Sequence, residues 1–232
     1  EARKSTAAAQ MEQALYIRTE IKAKAMILPP DGLVDYCKGM KPEVAKAGDR
    51  TLMLDLLSTL ATAQANAKQN SEALATENEV MKLAIALDKP IEAGICSNNM
   101  GELNLRMGRD QEALLAFGKG LIMVEDIPLL RIGMLINAAN AQATSGNRES
   151  ATRSIDDAER LARKGQFDDV MPRLLRTKAA IQLLQGDLVA AQNTGLEALA
   201  SAEDLKNEKE QVTACDMLAN IFEQRDLPGE SR

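Results

Sequence analysis

Residues 99–120 read NMGELNLRMGRDQEALLAFGKG. An apolar residue precedes Gly101, Gly108 marks a turn, Ala113 follows Gly101 by twelve residues, and the small residue Gly120 closes the stretch. The small position of Gly101 recurs at Ala61, Ala139, Ala179 and Ala219, so successive copies stand 40, 38, 40 and 40 residues apart. Twelve residues after each of the first four comes Ala73, Ala113, Ala151 or Ala191, and the fifth copy carries only the first half. A fixed period of roughly 20 to 50 residues is the mark of a stacked array of supersecondary units.

Composition makes those units helical. Hydrophobic residues are 45% of the 232, but aromatics are only 2% and Trp is absent, so Ala, Leu and Met supply the apolar volume. These are strong helix formers, and the residues that favour strands are scarce. A chain this long strains one compact core. An array avoids the limit because each repeat packs only on its neighbours.

The net charge of −6 and pI near 5.0 leave no basic footprint for nucleic acid, and two Tyr and three Phe give little for base stacking. No apolar run approaches the roughly 18 residues of a membrane span, so no membrane insertion by this segment is expected. Cys37, Cys96 and Cys215 are far apart, form no CxxC pair and have no His to join them. They read as small apolar fillers on helices rather than zinc ligands, and no cofactor is expected. Their sparse, odd count favours the reducing cytoplasm over the periplasm. The chain opens Glu1-Ala2-Arg3 without Met or an apolar leader core, as in a processed protein or a piece of a longer one.

Local signals place the helices. Residues 2–28 form one long helix, with Ala8, Met11, Ala14, Leu15, Ile21, Ala25 and Met26 recurring at helical spacing. Pro29-Pro30-Asp31-Gly32 stops it. Residues 33–48 are an irregular helical connector, with Pro42 at the first turn of a second short piece. From Thr51 the expected helix pairs are 51–68 with 71–87, 91–107 with 110–124, 128–145 with 148–164, and 168–185 with 188–203, followed by a helix at 207–225. Gly108, Gly146 and Gly186 close the first helices of their pairs in left-handed backbone. Asp110, Asn147 and Asp187 cap the second. Such short links force antiparallel pairs, and small residues at 61, 101, 139 and 179 let the helices of a pair approach closely.

The domain reading is therefore 1–50 for the long helix and connector, and 51–225 for the array. Its repeats lie near 51–87, 91–125, 128–165 and 168–204, with a half repeat at 207–225. Residues 226–232 read as a truncated turn, Asp226-Leu227-Pro228-Gly229, with the array expected to continue past Arg232 over the apolar Leu218 and Phe222.

At Asn99-Met100-Gly101-Glu102-Leu103, Gly108, Ala113, Phe117 and Gly120 the chain resembles the tetratricopeptide repeat (TPR) family. Partial copies are Leu60-Ala61 with Ala73, Ala138-Ala139 with Gly146, Ala151 and Ala158, Ala179 with Gly186, Ala191 and Ala198, and Leu218-Ala219 with Phe222. It departs where Asn104, Gln142 and Gln182 replace a common Tyr, and where the period is 38–40 rather than about 34. The resemblance implies an all-α fold: a right-handed α-solenoid of antiparallel helix pairs, the TPR-like superhelix. It also implies a concave face lined by the first helices. The inward positions would be Asp55, Ser58, Thr62 and Ala65; Ile95, Asn98, Glu102 and Leu105; Gly133, Ile136, Asn140 and Ala143; Arg173, Arg176, Ala180 and Leu183; and Thr213, Asp216, Asn220 and Glu223. Some members clamp a peptide carboxylate with Lys, Asn and Arg. Here Asn137 and Arg173 match two such positions, while Asn98, Glu102 and Thr177 occupy the other three, so the clamp is incomplete. Long-period arrays of this kind are similar to those of bacterial signalling proteins.

The polar residues of the first helices carry the functional reading. Asn98, Asn99, Asn137 and Asn140 are poor helix-interior choices. They suit either the backbone of an extended peptide or hydrogen bonds between repeats. Arg173 and Arg176 are one turn apart. They suit a carboxylate or phosphate, or pairing with Asp168 and Asp169. Met107, Met123, Met134 and Met171 serve as core filler or as an adaptable surface. Asp156-Asp157 and Asp168-Asp169 are sequence neighbours and point apart on a helix. With no His, no nucleophile elbow and no phosphate loop, the chain is not expected to be an enzyme. A catalytic domain would lie elsewhere in a parent protein.

The expected partner is thus a protein or peptide, gripped by Asn98, Glu102, Asn137, Asn140, Arg173 and Arg176. Homodimerisation through the N-terminal or C-terminal helix is a further option. A regulatory or sensory module of a larger bacterial signalling protein leads. A stand-alone adaptor for a multiprotein complex is the alternative, and an enzyme the remote one.

Overall fold

A computed structural model describes the backbone of residues 2–226 and the side chains of residues 11–225. The turn expected at Leu227-Pro228-Gly229 lies outside them. Among the described residues there are eleven α-helices, one short 3₁₀ turn and no strand. The helices are α1 (Ala2–Ile27), α2 (Pro30–Ala47), α3 (Arg50–Asn66), α4 (Asn70–Ala86), α5 (Pro90–Arg106), α6 (Asp110–Met123), α7 (Pro128–Thr144), α8 (Arg148–Gly165), α9 (Met171–Leu184), α10 (Leu188–Asp204) and α11 (Glu208–Asp226). They form two compact units, Glu1–Arg109 and Asp110–Arg232.

In the first unit α1 packs on α2 and α3, and α2, α3, α4 and α5 pack in chain order. In the second, α6 to α11 do the same, and the alternate helices α7, α9 and α11 also touch in sequence. Connections of a few residues make each packed neighbour antiparallel. The recurring alanines sit at these crossings. Ala61 and Ala73, Ala139 and Ala151, and Ala179 and Ala191 are all at most 1% exposed. The larger apolar residues fill the space around them: Leu52, Leu56 and Leu60 in the first unit, and Ile132, Ile155, Leu174 and Leu175 in the second.

The turns reveal a finer period than the 40-residue repeat. Left-handed backbone falls at Gly48, Lys68, Asp88 and Gly108, and then at Gly146, Gln166, Gly186 and Lys206. Within each unit these positions are 20 residues apart. After each of the last seven, the next amide reaches back five residues: Gln69 to the Gln64 carbonyl, Lys89 to Ala84, Arg109 to Asn104, Asn147 to Gln142, Phe167 to Ala162, Asp187 to Gln182 and Asn207 to Ala202, at 2.8–3.0 Å. This is the Schellman closure, which satisfies carbonyls left over at a helix end. Glycine was expected at such positions, and Lys68, Asp88, Gln166 and Lys206 depart from that rule. The two-residue shortfall in the 38-residue interval falls at α6, which has 14 residues where α3, α4, α5 and α7 have 17.

Asn147 and Asp187 cap as expected, accepting from the Ser150 and Ala190 amides. Asp110 instead sits in the first turn of α6, where its carboxylate accepts from Ser145 Oγ at 3.3 Å. The first helix of the fourth pair starts late: a 3₁₀ turn at Asp168–Val170 precedes α9, and Pro172 sits in the first turn of α9, where no amide is needed.

Three other expectations are corrected. Residues 30–47 are one continuous helix rather than a broken connector, with Pro42 in its interior and Leu33, Val34, Cys37 and Val44 buried beneath it. Tertiary burial there outweighs the hydrogen bond that Pro42 cannot make. On α1 the buried stripe runs through Ile17 and Ile21, while Met11, Leu15 and Met26 are exposed. The apolar pattern of α1 is wider than the one strip that α2 and α3 cover. Cys37 and Cys96 are buried fillers, but Cys215 is exposed.

Of the residues that replace tyrosine, Gln142 acquires a role between helices, as does Gln64 in the same register of the first repeat, whereas Asn104 Nδ2 donates to the Met100 carbonyl of its own helix. Gln64 Oε1 accepts from Thr76 Oγ1 at 2.7 Å, and Gln142 Oε1 accepts from Ser154 Oγ at 2.8 Å. Each bond ties the two helices of one pair across twelve residues. Gln182 and Thr194 stand in the same register, but Gln182 Oε1 is buried without a partner. Thr76→Val keeps the shape and strands Gln64 Oε1, so urea melts should show a loss of about 1–3 kcal/mol.

Candidate interaction surface

The sequence-predicted polar residues lie on first helices, and each unit brings its own set together. In the first unit Asn98 and Glu102 are one turn apart on α5, and Asn98 Nδ2 donates to Glu102 Oε1 at 3.0 Å. Asn99 points elsewhere: its Nδ2 donates to Glu77 Oε1 on α4 at 2.9 Å. Asn99 is therefore committed to an inter-repeat bond. The Cys96 thiol donates to the Glu77 main-chain carbonyl at 3.0 Å. Burial pushes the Glu77 carboxyl above the usual carboxylate range, against the opposing pull of hydrogen bonds from Cys96 and Asn99.

In the second unit Arg173 Nη2 on α9 donates to Asn137 Oδ1 on α7 at 2.5 Å. Arg176 Nε meets Glu210 Oε2 on α11 at 3.2 Å, with both side chains largely buried. The arginines thus bridge α7, α9 and α11 instead of pairing with Asp168 and Asp169. Asn140, one turn along from Asn137, is exposed. These four residues place two amides and two guanidinium groups on the first-helix face of one unit.

Not every expected inward position is open. Asp55 is held by Arg18 of α1 at 2.6 Å. Ile136 and Ala143 are core residues, 2% and 9% exposed. Met134 and Met171 are likewise core, whereas Ile95 is exposed.

Sequence reasoning passed over Glu77. A signal was present: it lies in the buried stripe Ala73, Thr76, Glu77, Val80 and Ala84 of α4, where a charge is rare unless paired.

No protein-family model matches the chain, and no curated protein matches it in sequence. Solved structures do match in shape. A Rap protein complexed with competence and sporulation factor has 12% identity and TM-score 0.64, covering 92% of this chain and 64% of its own. A STAND signal-transduction ATPase with a tetratricopeptide repeat sensor from Pyrococcus horikoshii has 14% identity and TM-score 0.76, covering 94% of this chain and 34% of its own. A putative kinesin light chain with nearly identical TPR-like repeats from Podosopora anserina has 13% identity and TM-score 0.69, covering 84% of this chain and 96% of its own. The chain thus spans under two thirds of the first and about a third of the second. These likenesses establish a TPR-like all-α fold. Among the described residues, no helix is long and apolar enough to cross a membrane.

Proposed function

We propose that this chain is a non-catalytic protein- or peptide-binding module, and that it serves as the regulatory or sensory part of a larger bacterial signalling protein. The observation that carries the reading is the cluster of Asn137, Asn140, Arg173 and Arg176 on the first-helix face of the second unit. The exposed Asn140 amide offers donor and acceptor to a peptide backbone, and the exposed Arg173, whose Nη2 donates to Asn137, has further N–H groups for a carboxylate. The structural likenesses to a Rap protein complexed with competence and sporulation factor and to a signal-transduction ATPase with a tetratricopeptide repeat sensor support the same class of role. The kinesin light chain likeness supports the alternative of a stand-alone adaptor. Regulation would require the ligand to favour one arrangement of the helices over another. Exposed Met11 and Leu15 on α1, and Val212 and Phe222 on α11, are the apolar residues through which a second copy would pair.

The test is a peptide selected from a displayed random library against the whole chain, with its affinity then measured by calorimetry. Asn140→Ala with Arg173→Ala should weaken binding about tenfold or more, the loss of one or two anchoring contacts. Unchanged affinity would remove this face from the site.

A further inference from the structure

The second-helix position four residues after the recurring alanine holds Glu77, Phe117, Ile155 and Gly195 in the four repeats. Phe117 and Ile155 are buried core residues there, at 0% and 1% exposure, and Glu77 is equally hidden at 3%. The first repeat therefore puts a carboxyl where its neighbours put hydrocarbon. Glu77 accepts from Asn99, yet it has no cationic partner among the described residues. A buried carboxylate is stable when a cation joins it and costly when none does.

A cavity of about 150 Å³ opens over this group between α3 and α5. Ala61, Leu103 and Glu77 form its buried part, and Thr62, Asn66 and Arg106 are exposed at its rim. Asn99 and Glu102 line the α5 side. The Asn99 amide nitrogen is turned to Glu77, which leaves its Oδ1 as an acceptor. Arg106 brings positive charge to the rim, but its Nη1 donates across to the Ala65 carbonyl at 3.2 Å. The space is too small for a folded ligand and matches the head and last methylenes of one long side chain. Its chemistry is a carboxyl floor, an amide oxygen, a second carboxylate and a short apolar wall.

We propose that this cavity receives one basic side chain, lysine or arginine, of a peptide laid along the first helices of the first unit, with Glu77 and Glu102 as counter-charges. The biological ligand rests on the peptide-binding reading above. The pocket itself is tested apart from it. The whole chain is titrated with n-butylammonium chloride, and in parallel with 1-butanol, while backbone amide NMR shifts are followed. Butylammonium should give saturable shifts centred on Thr62, Ala65, Glu77, Asn99 and Arg106, and 1-butanol should not. Glu77→Gln should weaken the ammonium affinity about tenfold or more, as expected for removal of the one buried charge facing it. Thr62→Leu, a change on the exposed rim, should block entry with the fold intact. Absence of saturable shifts, equal shifts with 1-butanol, or undiminished affinity in Thr62→Leu would overturn the pocket. None of these outcomes touches the Asn140 and Arg173 test in the second unit, so the two readings fail separately.

Discussion

Replacing Lys68, Asp88, Gln166 and Lys206 together by glycine should stabilise the protein by about 2–4 kcal/mol, from a gross relief of about 1–2 kcal/mol at each left-handed site less the entropy that glycine loses on folding. All four have φ between 52° and 61° and stand where the chain leaves one helix for the next. All four side chains are exposed, so their removal sacrifices little packing. The gains should be close to additive, because none of the four side chains bonds to another. The check is urea unfolding of single and combined variants, read as a rise in midpoint at constant slope. A fall in stability at these sites would mean that their side chains do more than tolerate the turn. The mirror experiment, Ala at Gly108, Gly146 or Gly186, should cost stability for the same steric reason.

Ala139→Leu should destabilise the second unit by about 3 kcal/mol, the upper end of ordinary overpacking. Ala139 on α7 and Ala151 on α8 are both 0% exposed, inside the core that also contains Ile132, Ile155 and Leu174. Leucine adds three carbon atoms where the helices approach closely, and interiors packed to crystal-like density have no space to give. The adjacent Asn140→Leu is the control: it is exposed and should change stability by no more than about 0.5 kcal/mol. Thermal melts of the pair decide the matter. Equal melting temperatures would show that close contact at Ala139 does not hold the hairpin.

The two experiments bear on different layers of legibility. Small residues at a fixed interval were readable because helix crossings demand them whatever surrounds them, and this gave the TPR-like fold from Ala61, Gly101, Ala139 and Ala179. The 20-residue turn period was half hidden. Gly108, Gly146 and Gly186 announce it, but Lys68, Asp88, Gln166 and Lys206 do not look like left-handed residues. Their strain is tolerated because a Schellman closure recovers hydrogen bonds at the same turn. Pro42 misled in the other direction: local rules break a helix there, and the burial of Leu33, Val34, Cys37 and Val44 holds it whole.

The candidate site was less legible than the fold. The sequence placed polar residues on the first helices, but it could not tell a committed side chain from a presented one. Asn99 is tied to Glu77 and Arg176 to Glu210, across 22 and 34 residues of sequence, whereas Arg173 reaches Asn137 and stays exposed. By itself the sequence determined that this chain is a helical repeat, since periodicity and small-residue spacing are local properties. Which polar groups bridge helices, and that Glu77 lies buried beneath a cavity, only the tertiary structure decided. Hydrogen-bond partners remote in sequence meet only once the helices have packed.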